Sequence, residues 1–491
     1  MKIVLFSYNA SHYHPCLALR ALRTFLLELP NSAENETKIM EFSLKDKRAA
    51  VLSALYNENA DIYAFSTYIW NIRETVDLAR NLKKLRPSGK IIFGGPEASF
   101  RAEEFVSSLE FLDCVIVGEG ENGIKDAVSS HPELPKIVYS PADTDFESRS
   151  THYFLPDGKA EELASGKFVY YESSRGCPFS CGYCLSGNDC KVRAKSVEKT
   201  LSDLADFQKL PGGKRTVKLV DRTFNYDLAR AKAIWRGLLS ESYTNCYHFE
   251  IQPAIMDTEA LEILAQAPKG KFQLEAGVQS VNPAVLKECG RGGDPEKELS
   301  NLKKLKAIES VPVHCDLICG LPSEDLSSIQ ESINKTYYVC DELQIGFLKL
   351  LYGAKITENA EKYGMIYMTE PPYEILSTDT LSFSELTSLR GIAKVCDRVV
   401  NSGRFSRGLE YVLGNGDGES PLGVTPYDFL FALSEKVNGE PAAYSQAAMY
   451  EQVCLTAYGF CKNEEQKEGV KGALLADFTA NERTRIPRLL R

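Results

Sequence analysis

Several protein classes are excluded by what this 491-residue sequence lacks. It has no run of about 18 uninterrupted apolar residues, the length that a transmembrane helix needs. The N-terminal segment, residues 1–8, is typical of a β-strand and lacks the layout of a signal peptide. Basic residues are outnumbered by acidic ones, 57 against 67. The net charge of −10 argues against broad electrostatic binding to nucleic acid, but it leaves open a local basic groove for a small RNA.

Cysteine, in contrast, is well represented, with fourteen residues. In a chain of this length that number is typical of a reducing compartment, where thiols stay unpaired. Cys114, Cys315 and Cys319 lie in apolar, strand-like runs, so we expect them to be buried free thiols. We therefore expect a cytoplasmic protein without a membrane segment.

The pattern of apolar residues predicts an α/β protein of several domains, because the length exceeds one ordinary core. Residues 1–130 alternate strand-like and amphipathic runs, which predicts a doubly wound, Rossmann-like parallel sheet. Residues 131–168 contain several prolines and are predicted to be a linker. Residues 169–353 repeat the strand–helix unit six times, which predicts a partial (β/α)6 barrel of the TIM type. Residues 354–491 lack this alternation and are predicted to form a mainly helical domain.

Three cysteines near the start of the predicted barrel have the most informative spacing in the chain. Cys177, Cys181 and Cys184 are separated by three and then two residues. Three thiolates hold three irons of a [4Fe–4S] cluster and leave the fourth iron open to a ligand that is not protein. Zinc is the alternative, but structural zinc needs four ligands, and no fourth Cys or His lies at zinc-finger spacing.

The ends of four predicted strands in the first region share glycine, small hydroxyl and polar residues. The candidates for binding at these ends are Asn9, Ser66, Thr67, Gly94, Gly95, Pro96, Glu97, Gly118 and Glu119. Ligands of such sheets bind beyond the carboxyl ends of the strands, where glycine lets the backbone approach closely. The alternative for residues 94–96 is an ordinary tight turn. No G-x-G-x-x-G follows the first strand, so a nicotinamide site lacks its fingerprint.

The cysteine run, with Tyr183 just before its third cysteine, resembles the cluster loop of radical S-adenosylmethionine (SAM) enzymes. Residues 94–99 and 118–121 resemble the cobalamin-binding domain of the cobalamin-dependent members of that family. The resemblance implies three cofactors: a [4Fe–4S] cluster, SAM and cobalamin. In that family SAM chelates the open iron, and reduction of the cluster yields a 5′-deoxyadenosyl radical that abstracts hydrogen.

The same resemblance implies SAM contacts at the ends of the barrel strands. Glu275, Gln279 and Ser280 end the fourth strand and are implied to bind the amine or ribose of SAM. Ile318 and the backbone near Tyr183 are implied to hold the adenine. Asp221 and Asn225 are implied to order the loop after the second strand. Each polar residue has an alternative role in a turn or helix cap.

One departure from related cobalamin domains concerns the lower face of cobalt. Domains of the methionine-synthase type carry an Asp-x-His-x-x-Gly loop whose histidine binds cobalt, and this sequence has none. His12 and His14 lie near the end of the first strand at the wrong spacing, so each is a candidate either for a cofactor or substrate contact or for a surface or packing role. Tyr68 and Trp70 are candidates either to wall the corrin or to pack in the core.

The resemblance makes a methyltransferase the leading functional hypothesis, with methyl passing from methylcobalamin to a substrate radical. Rearrangement, cyclisation or reduction with the same cofactors is the first alternative, and modification of tRNA or protein is another. A non-catalytic cobalamin or iron–sulfur binding protein is the alternative outside enzymology. The expected partners are a small-molecule substrate and an electron donor such as flavodoxin or ferredoxin. The sequence identifies no general acid or base.

Overall fold

The computed structural model describes residues 1–27, 32, 35–142, 145–149, 152–155, 158–161, 163, 166–416, 418 and 420–491. Part of the predicted linker therefore lies outside the described residues. Within the described part of the chain, no helix has both the length and the apolar character needed to cross a membrane.

Six parallel strands form the first sheet in the order β2-β1-β3-β4-β5-β6. The strands are β1 (Lys2–Asn9), β2 (Glu36–Ser43), β3 (Ile62–Ser66), β4 (Lys90–Gly94), β5 (Cys114–Gly118) and β6 (Ile137–Ser140). The helices are α1 (Leu17–Leu27), α2 (Arg48–Glu58), α3 (Ile72–Leu85), α4 (Pro96–Phe100), α5 (Ala102–Ser108) and α6 (Gly120–Ser129). The strand order reverses between β1 and β3, which places the ligand crevice of such a sheet at their carboxyl ends.

The second sheet is also six-stranded and parallel, in the order β14-β13-β12-β11-β10-β7. Its strands are β7 (Val169–Tyr171), β10 (Thr216–Leu219), β11 (Cys246–Ile251), β12 (Phe272–Gln279), β13 (Val313–Cys319) and β14 (Glu342–Phe347). A short antiparallel pair, β8 (Ser174–Arg175) with β9 (Arg193–Ala194), flanks the cysteine loop. The helices are α7 (Val197–Asp206), α8 (Leu228–Leu238), α9 (Thr258–Ala265), α10 (Pro283–Glu288), α11 (Pro295–Lys306), α12 (Leu326–Tyr337) and α13 (Lys355–Glu358).

The C-terminal region is mainly helical and shares its core with the second sheet. Its elements are β15 (Ile366–Tyr367), β16 (Ile375–Ser377), α14 (Phe383–Val395), α15 (Ser406–Leu413), α16 (Pro426–Lys436), α17 (Gln446–Tyr458) and α18 (Glu464–Asn481). One continuous apolar cluster runs from the second sheet into these helices, whereas the first sheet has a separate cluster on each face. Both parallel sheets are thus covered on their apolar faces, and the predicted α/β fold class is confirmed.

An edge strand and a small hairpin were not predicted from the sequence. Strand β6 lies inside the segment predicted as a linker and forms the edge of the first sheet. It is only four residues long, and the prolines around it obscure the strand pattern. Strands β15 and β16 form a small antiparallel hairpin in the region predicted to be helical. Short edge strands carry little periodicity, so sequence patterns miss them readily.

Candidate cofactor cavity and cluster loop

The loop of residues 177–184 brings the three motif cysteines together as free thiols. Cys177 and Cys181 are buried, and Cys184 is partly exposed. Burial raises the pKa of the Cys177 thiol, and the nearby Cys184 and Cys181 act in the same direction. The three thiols share one eight-residue loop and are the donor type that three irons of a [4Fe–4S] cluster take. The donor set therefore fits the cluster.

Backbone contacts determine the path of this loop. Gly176 has φ +94°, and a Cβ at this position would lie 2.6 Å from the carbonyl oxygen of Lys191, so only glycine is accommodated. The Gly182 N–H donates to the carbonyl of Cys289 (2.8 Å), and the Gly182 carbonyl accepts from the Ile356 N–H (2.9 Å). The loop is thus held against two other segments of the barrel region. Cys289, which sequence reasoning did not single out, takes part through its backbone.

The carboxyl ends of the barrel strands place polar side chains in the lumen. Glu275 on β12 is paired in register with Glu250 on β11 and with His314 on β13. Glu275 accepts from His248 at 3.0 Å, and this contact holds the pKa of Glu275 below its usual range. Burial raises the pKa of Glu250 to about 7 and that of Asp316 to about 6. The lumen therefore carries both an ionised carboxylate and carboxyls that protonate near neutral pH.

The predicted SAM residues take different positions at the end of β12. Gln279 has φ +68° at a register shift, and its Oε1 atom is buried without a hydrogen-bond partner among the described residues. An orphaned buried acceptor at this strand end fits a donor group of a bound ligand, as SAM would supply. The Tyr183 hydroxyl accepts from Arg291 (3.4 Å), which also donates to the Gly277 carbonyl. Ile318 lies partly buried near the end of β13.

Ser280 does not face the lumen. Its hydroxyl is fully buried, donates to Glu324 Oε1 at 2.5 Å and accepts from the Asn282 N–H at 3.2 Å, so it caps the turn after β12, and its contact with SAM stays a prediction. Asp221 contacts the segment that precedes the cluster loop, whereas it was expected to order the loop after the second barrel strand. It accepts hydrogen bonds from the Ser173 N–H (3.1 Å) and from the Ser173 and Ser174 hydroxyls (2.6 and 2.5 Å). Asn225 exchanges two hydrogen bonds with the backbone of Gln252.

A cavity of 630 Å³ lies between the first sheet and the barrel, and we call it the interdomain cavity. The predicted residues that line it are Asn9, Ser66, Gly94, Gly95, Gly118 and Glu119. From the barrel side it is lined by Tyr170, Glu172, Arg175, Val220 and Arg222. An apolar arm of the cavity extends along α1 and α6 over Ile92 and Ile116. Its size and its location beyond the strand ends fit a large ligand with an apolar part, such as cobalamin.

The backbone at Gly95 approaches this cavity closely. Gly95 has φ +105°, and a Cβ there would lie 2.5 Å from the carbonyl oxygen of Thr67. At the carboxyl end of β1, the Asn9 side chain is held by a hydrogen bond from its amide to Glu41 (3.0 Å). These strand ends thus present backbone and small side chains to a bound ligand.

Three predicted residues do not line the interdomain cavity. Thr67 is fully buried, and its hydroxyl donates to the Gly94 carbonyl (2.9 Å) and accepts from the Ala98 N–H (3.1 Å). Pro96 begins α4 behind the cavity wall. Glu97 is buried and accepts from the Tyr373 hydroxyl (2.9 Å), so it joins the first sheet to the C-terminal region. These residues support the wall of the cavity, and their contact with a cofactor stays a prediction.

The histidines and aromatics near the strand ends also separate into two groups. His14 lines the cavity, and its Nδ1 atom lies 2.5 Å from the Tyr170 hydroxyl. Burial lowers the pKa of His14, so its neutral form is favoured in this wall. His12 is exposed beside Asp46 and lies outside the cavity. Tyr68 and Trp70 line the cavity as a parallel stack, with ring centroids 4.3 Å apart.

Sequence reasoning missed the charged residues that the barrel contributes. Arg175 lies two residues before Cys177 and forms ion pairs with Glu119 (2.9 Å), Glu121 (2.8 Å) and Glu172 (2.6 Å). Arg193, its partner across β8–β9, also pairs with Glu119. The only signal in the sequence was position, since both arginines flank the cysteine loop. The pairing depends on how the two sheets dock.

Three family models match successive segments of the chain. A B12 binding domain matches residues 12–128, and the radical SAM superfamily matches residues 171–336. A third model, described as DUF4080, a protein of unknown function, matches residues 361–490.

Curated relatives are distant. A 2-(S-pantetheinyl)-carbapenam-3-carboxylate methyltransferase of Streptantibioticus cattleyicolor is 22% identical over 68% of this chain and 52% of its own length. The cobalamin-dependent radical SAM methyltransferase TokK of Streptomyces tokunonensis is 22% identical over 62% of this chain and 49% of its own length. The chain thus spans about half the length of these two relatives. The hopanoid C-3 methylase of Methylococcus capsulatus is 24% identical over 56% of this chain and 55% of its own length.

Solved structures share the fold at still lower identity. The radical SAM methyltransferase TsrM of Kitasatospora setae superposes with a TM-score of 0.59 at 16% identity, over 76% of this chain and 79% of its own. The cobalamin-dependent SAM radical enzyme OxsB superposes with a TM-score of 0.62 at 13% identity, over 98% of this chain and 81% of its own. The cavity beyond the first sheet, the three-cysteine loop at the barrel and the two matching models agree: the chain combines a B12 binding domain with a radical SAM domain.

Proposed function

We propose that this protein transfers a methyl group to a small-molecule substrate at an unactivated carbon or at phosphorus. The single observation that carries the proposal is the shared interdomain cavity. Its walls come both from the strand ends of the B12-binding domain and from Arg175, which leads directly into the cluster loop. When bound, cobalamin carries a methyl group, and the cluster with SAM supplies a hydrogen-abstracting radical. A substrate in one enclosed space can meet both.

The residues of the chain have positioning and shielding roles in this proposal. Cys177, Cys181 and Cys184 hold the cluster, and the orphaned Gln279 Oε1 atom faces a donor of SAM. The Tyr68–Trp70 stack and the apolar arm exclude water from the cavity. Exclusion of water protects a radical from side reactions, and a fixed geometry removes the entropic cost of bringing reactants together.

The relatives support methyl transfer over the other chemistries. Three of those named above are described as methyltransferases or a methylase, although each is only 22–24% identical to this chain. The electron donor, such as flavodoxin or ferredoxin, remains part of the proposal.

The test uses anaerobically purified protein loaded with cluster and cobalamin, a chemical reductant, and SAM with a deuterated methyl group. The substrates are small molecules extracted from the source cells. Methyl transfer predicts a product that carries the label, together with both S-adenosylhomocysteine and 5′-deoxyadenosine. Formation of 5′-deoxyadenosine with an unlabelled product would contradict the proposal and favour rearrangement, cyclisation or reduction. The variant with Cys177, Cys181 and Cys184 replaced by Ala is the control.

A further inference from the structure

Arg222 lies where the interdomain cavity meets the barrel. It follows β10, lines the cavity and is exposed to it. The next residue, Thr223, has its Oγ1 atom 3.5 Å from Cys177 Sγ. The guanidinium therefore stands close both to the cluster loop and to the wall formed by Tyr68 and Trp70.

Arg222 differs from Arg175, the other arginine in this wall, in forming no ion pair with any residue that the structure describes. Arg175 is surrounded by three carboxylates. Among the residues that the structure describes, no carboxylate lies within 4.0 Å of the Arg222 guanidinium, and no hydrogen bond from it is formed. The N–H groups of the Arg222 guanidinium are therefore free to donate to a planar or tetrahedral anion in the cavity.

A second cation, Lys218, lies on β10 four residues before Arg222. Lys218 likewise forms no ion pair within the described part of the chain, and its ammonium lies 5.2 Å from the centre of the Phe168 ring. The Arg222 guanidinium, unpaired among the described residues, attracts an anion to the cavity wall and disfavours a cationic ligand there.

We propose that Arg222 binds an anionic group of the substrate, a carboxylate, phosphate or phosphonate, and so determines the substrate class. The inference rests on the proposed function in placing a substrate in this cavity. Two cofactor groups share the same chemistry, namely the carboxylate of SAM and the phosphate of cobalamin. If the anion bound by Arg222 belongs to the substrate, then the binding of SAM and of cobalamin must not depend on Arg222.

The test modifies arginines with phenylglyoxal in the protein loaded with cluster, cobalamin and SAM. Mass spectrometry follows the modification of Arg222 and of Arg236, an exposed arginine on α8 that pairs with Glu259. The probes are acetate, inorganic phosphate and methylphosphonate. We expect saturable protection of Arg222, with its modification rate falling about tenfold or more, because hydrogen bonds to charged groups are strong. Arg236 should react at an unchanged rate.

Two variants separate substrate from cofactor. Arg222→Gln should keep cobalamin content and SAM affinity within about twofold of the wild type, well below the effect of losing a charge-assisted hydrogen bond. Arg236→Gln, which removes one charge elsewhere, should do the same. The proposal is overturned if the anions do not protect Arg222, or if Arg222→Gln loses cobalamin or weakens SAM binding about tenfold or more. Protection of Arg222 in a protein that transfers no methyl would uphold the anion site and contradict only the proposed function.

Discussion

The Arg175 guanidinium lies 2.9 Å from a carboxylate oxygen of Glu119, and this ion pair joins the cluster loop to the first sheet. Glu119 follows β5, and Arg175 lies in β8, so the contact joins residues 56 positions apart. Both side chains line the interdomain cavity. The pair therefore sets the position of the cluster loop relative to the cobalamin wall. The proposed chemistry depends on that spacing.

Replacing Glu119 should loosen the cluster loop. Glu119→Gln leaves Arg175 with two carboxylates and removes a carboxylate from Arg193, so we expect a loss of about 1–3 kcal/mol in stability. Hydrogen exchange should accelerate in residues 174–194. Glu104→Gln is the control, since it removes a more exposed partner of Arg101 and should have little effect. Unchanged exchange in residues 174–194 would contradict a role for Glu119 in holding the loop.

The cluster and cobalamin sites should be separable by mutation. Replacing Cys177, Cys181 and Cys184 together by Ala should abolish iron and sulfide binding, because no thiolates remain to bind iron at this loop. Cobalamin content should be retained, since none of the three residues lines the interdomain cavity. Anaerobic reconstitution followed by analysis of iron, sulfide and corrin measures the content of each cofactor in the variant. Loss of cobalamin together with iron would show that the two sites do not form independently.

Gly95 should be irreplaceable at the cavity wall. Gly95→Ala places a Cβ 2.5 Å from the carbonyl oxygen of Thr67 at φ +105°, so we expect a cost of about 1–3 kcal/mol and weaker cobalamin binding. Gly94→Ala is the matched control, because its Cβ would lie 3.8 Å from Ile116, an ordinary contact. Thermal melting and cobalamin titration compare the two variants. Equal melting temperatures for both would refute the strain argument.

The Glu250 carboxyl should make the cofactor-free protein less stable as pH rises. Burial raises its pKa from 4.5 to about 7, so between these values the folded protein binds more protons than the unfolded chain. Stability contributed by this group is therefore present below about pH 4.5 and lost as pH rises to 7. Glu250→Gln removes this dependence.

The stability gained by Glu250→Gln over the wild type should be near zero at pH 4.5 and grow to the order of 3 kcal/mol above pH 7. Denaturant unfolding across this pH range measures the difference. Glu342→Gln, at an exposed position on β14 of the same sheet, controls for the loss of one charge. A Glu250→Gln difference that stays constant with pH would rule out a buried, protonated carboxyl.

Tyr373 should anchor the C-terminal region without affecting cobalamin. Its hydroxyl donates to Glu97 and accepts from Arg101 (3.0 Å), so Tyr373→Phe removes one buried and one partly buried hydrogen bond and should cost about 1–3 kcal/mol. Tyr367→Phe is the control, since that hydroxyl makes no hydrogen bond within the described residues. Limited proteolysis and cobalamin titration test both variants. Weaker cobalamin binding by Tyr373→Phe would restore Glu97 as part of the cofactor site.

Local patterns in the sequence were sufficient for the α/β architecture and for the cysteine loop. The spacing of apolar residues predicts secondary structure directly, because the buried face of a single strand or helix recurs with that element's own period. The spacing of Cys177, Cys181 and Cys184 also acts locally, since the three residues share one loop. Strand β6 escaped prediction because four residues carry too little periodicity.

The assignment of strand-end residues to a cofactor was decided only by tertiary structure. Thr67 and Glu97 lie at the same strand ends as Ser66 and Gly95, which line the interdomain cavity. The Thr67 hydroxyl instead donates to the Gly94 carbonyl, and Glu97 accepts from the Tyr373 hydroxyl. Arg175 and Arg222 are both arginines beside barrel strands, but among the described residues only Arg175 forms ion pairs with carboxylates. Side-chain direction and ionic pairing depend on how two sheets dock across many residues of chain. By itself, the sequence determined the elements and the cluster ligands through local periodicity and spacing, and long-range packing decided which charges are matched and which face the cavity.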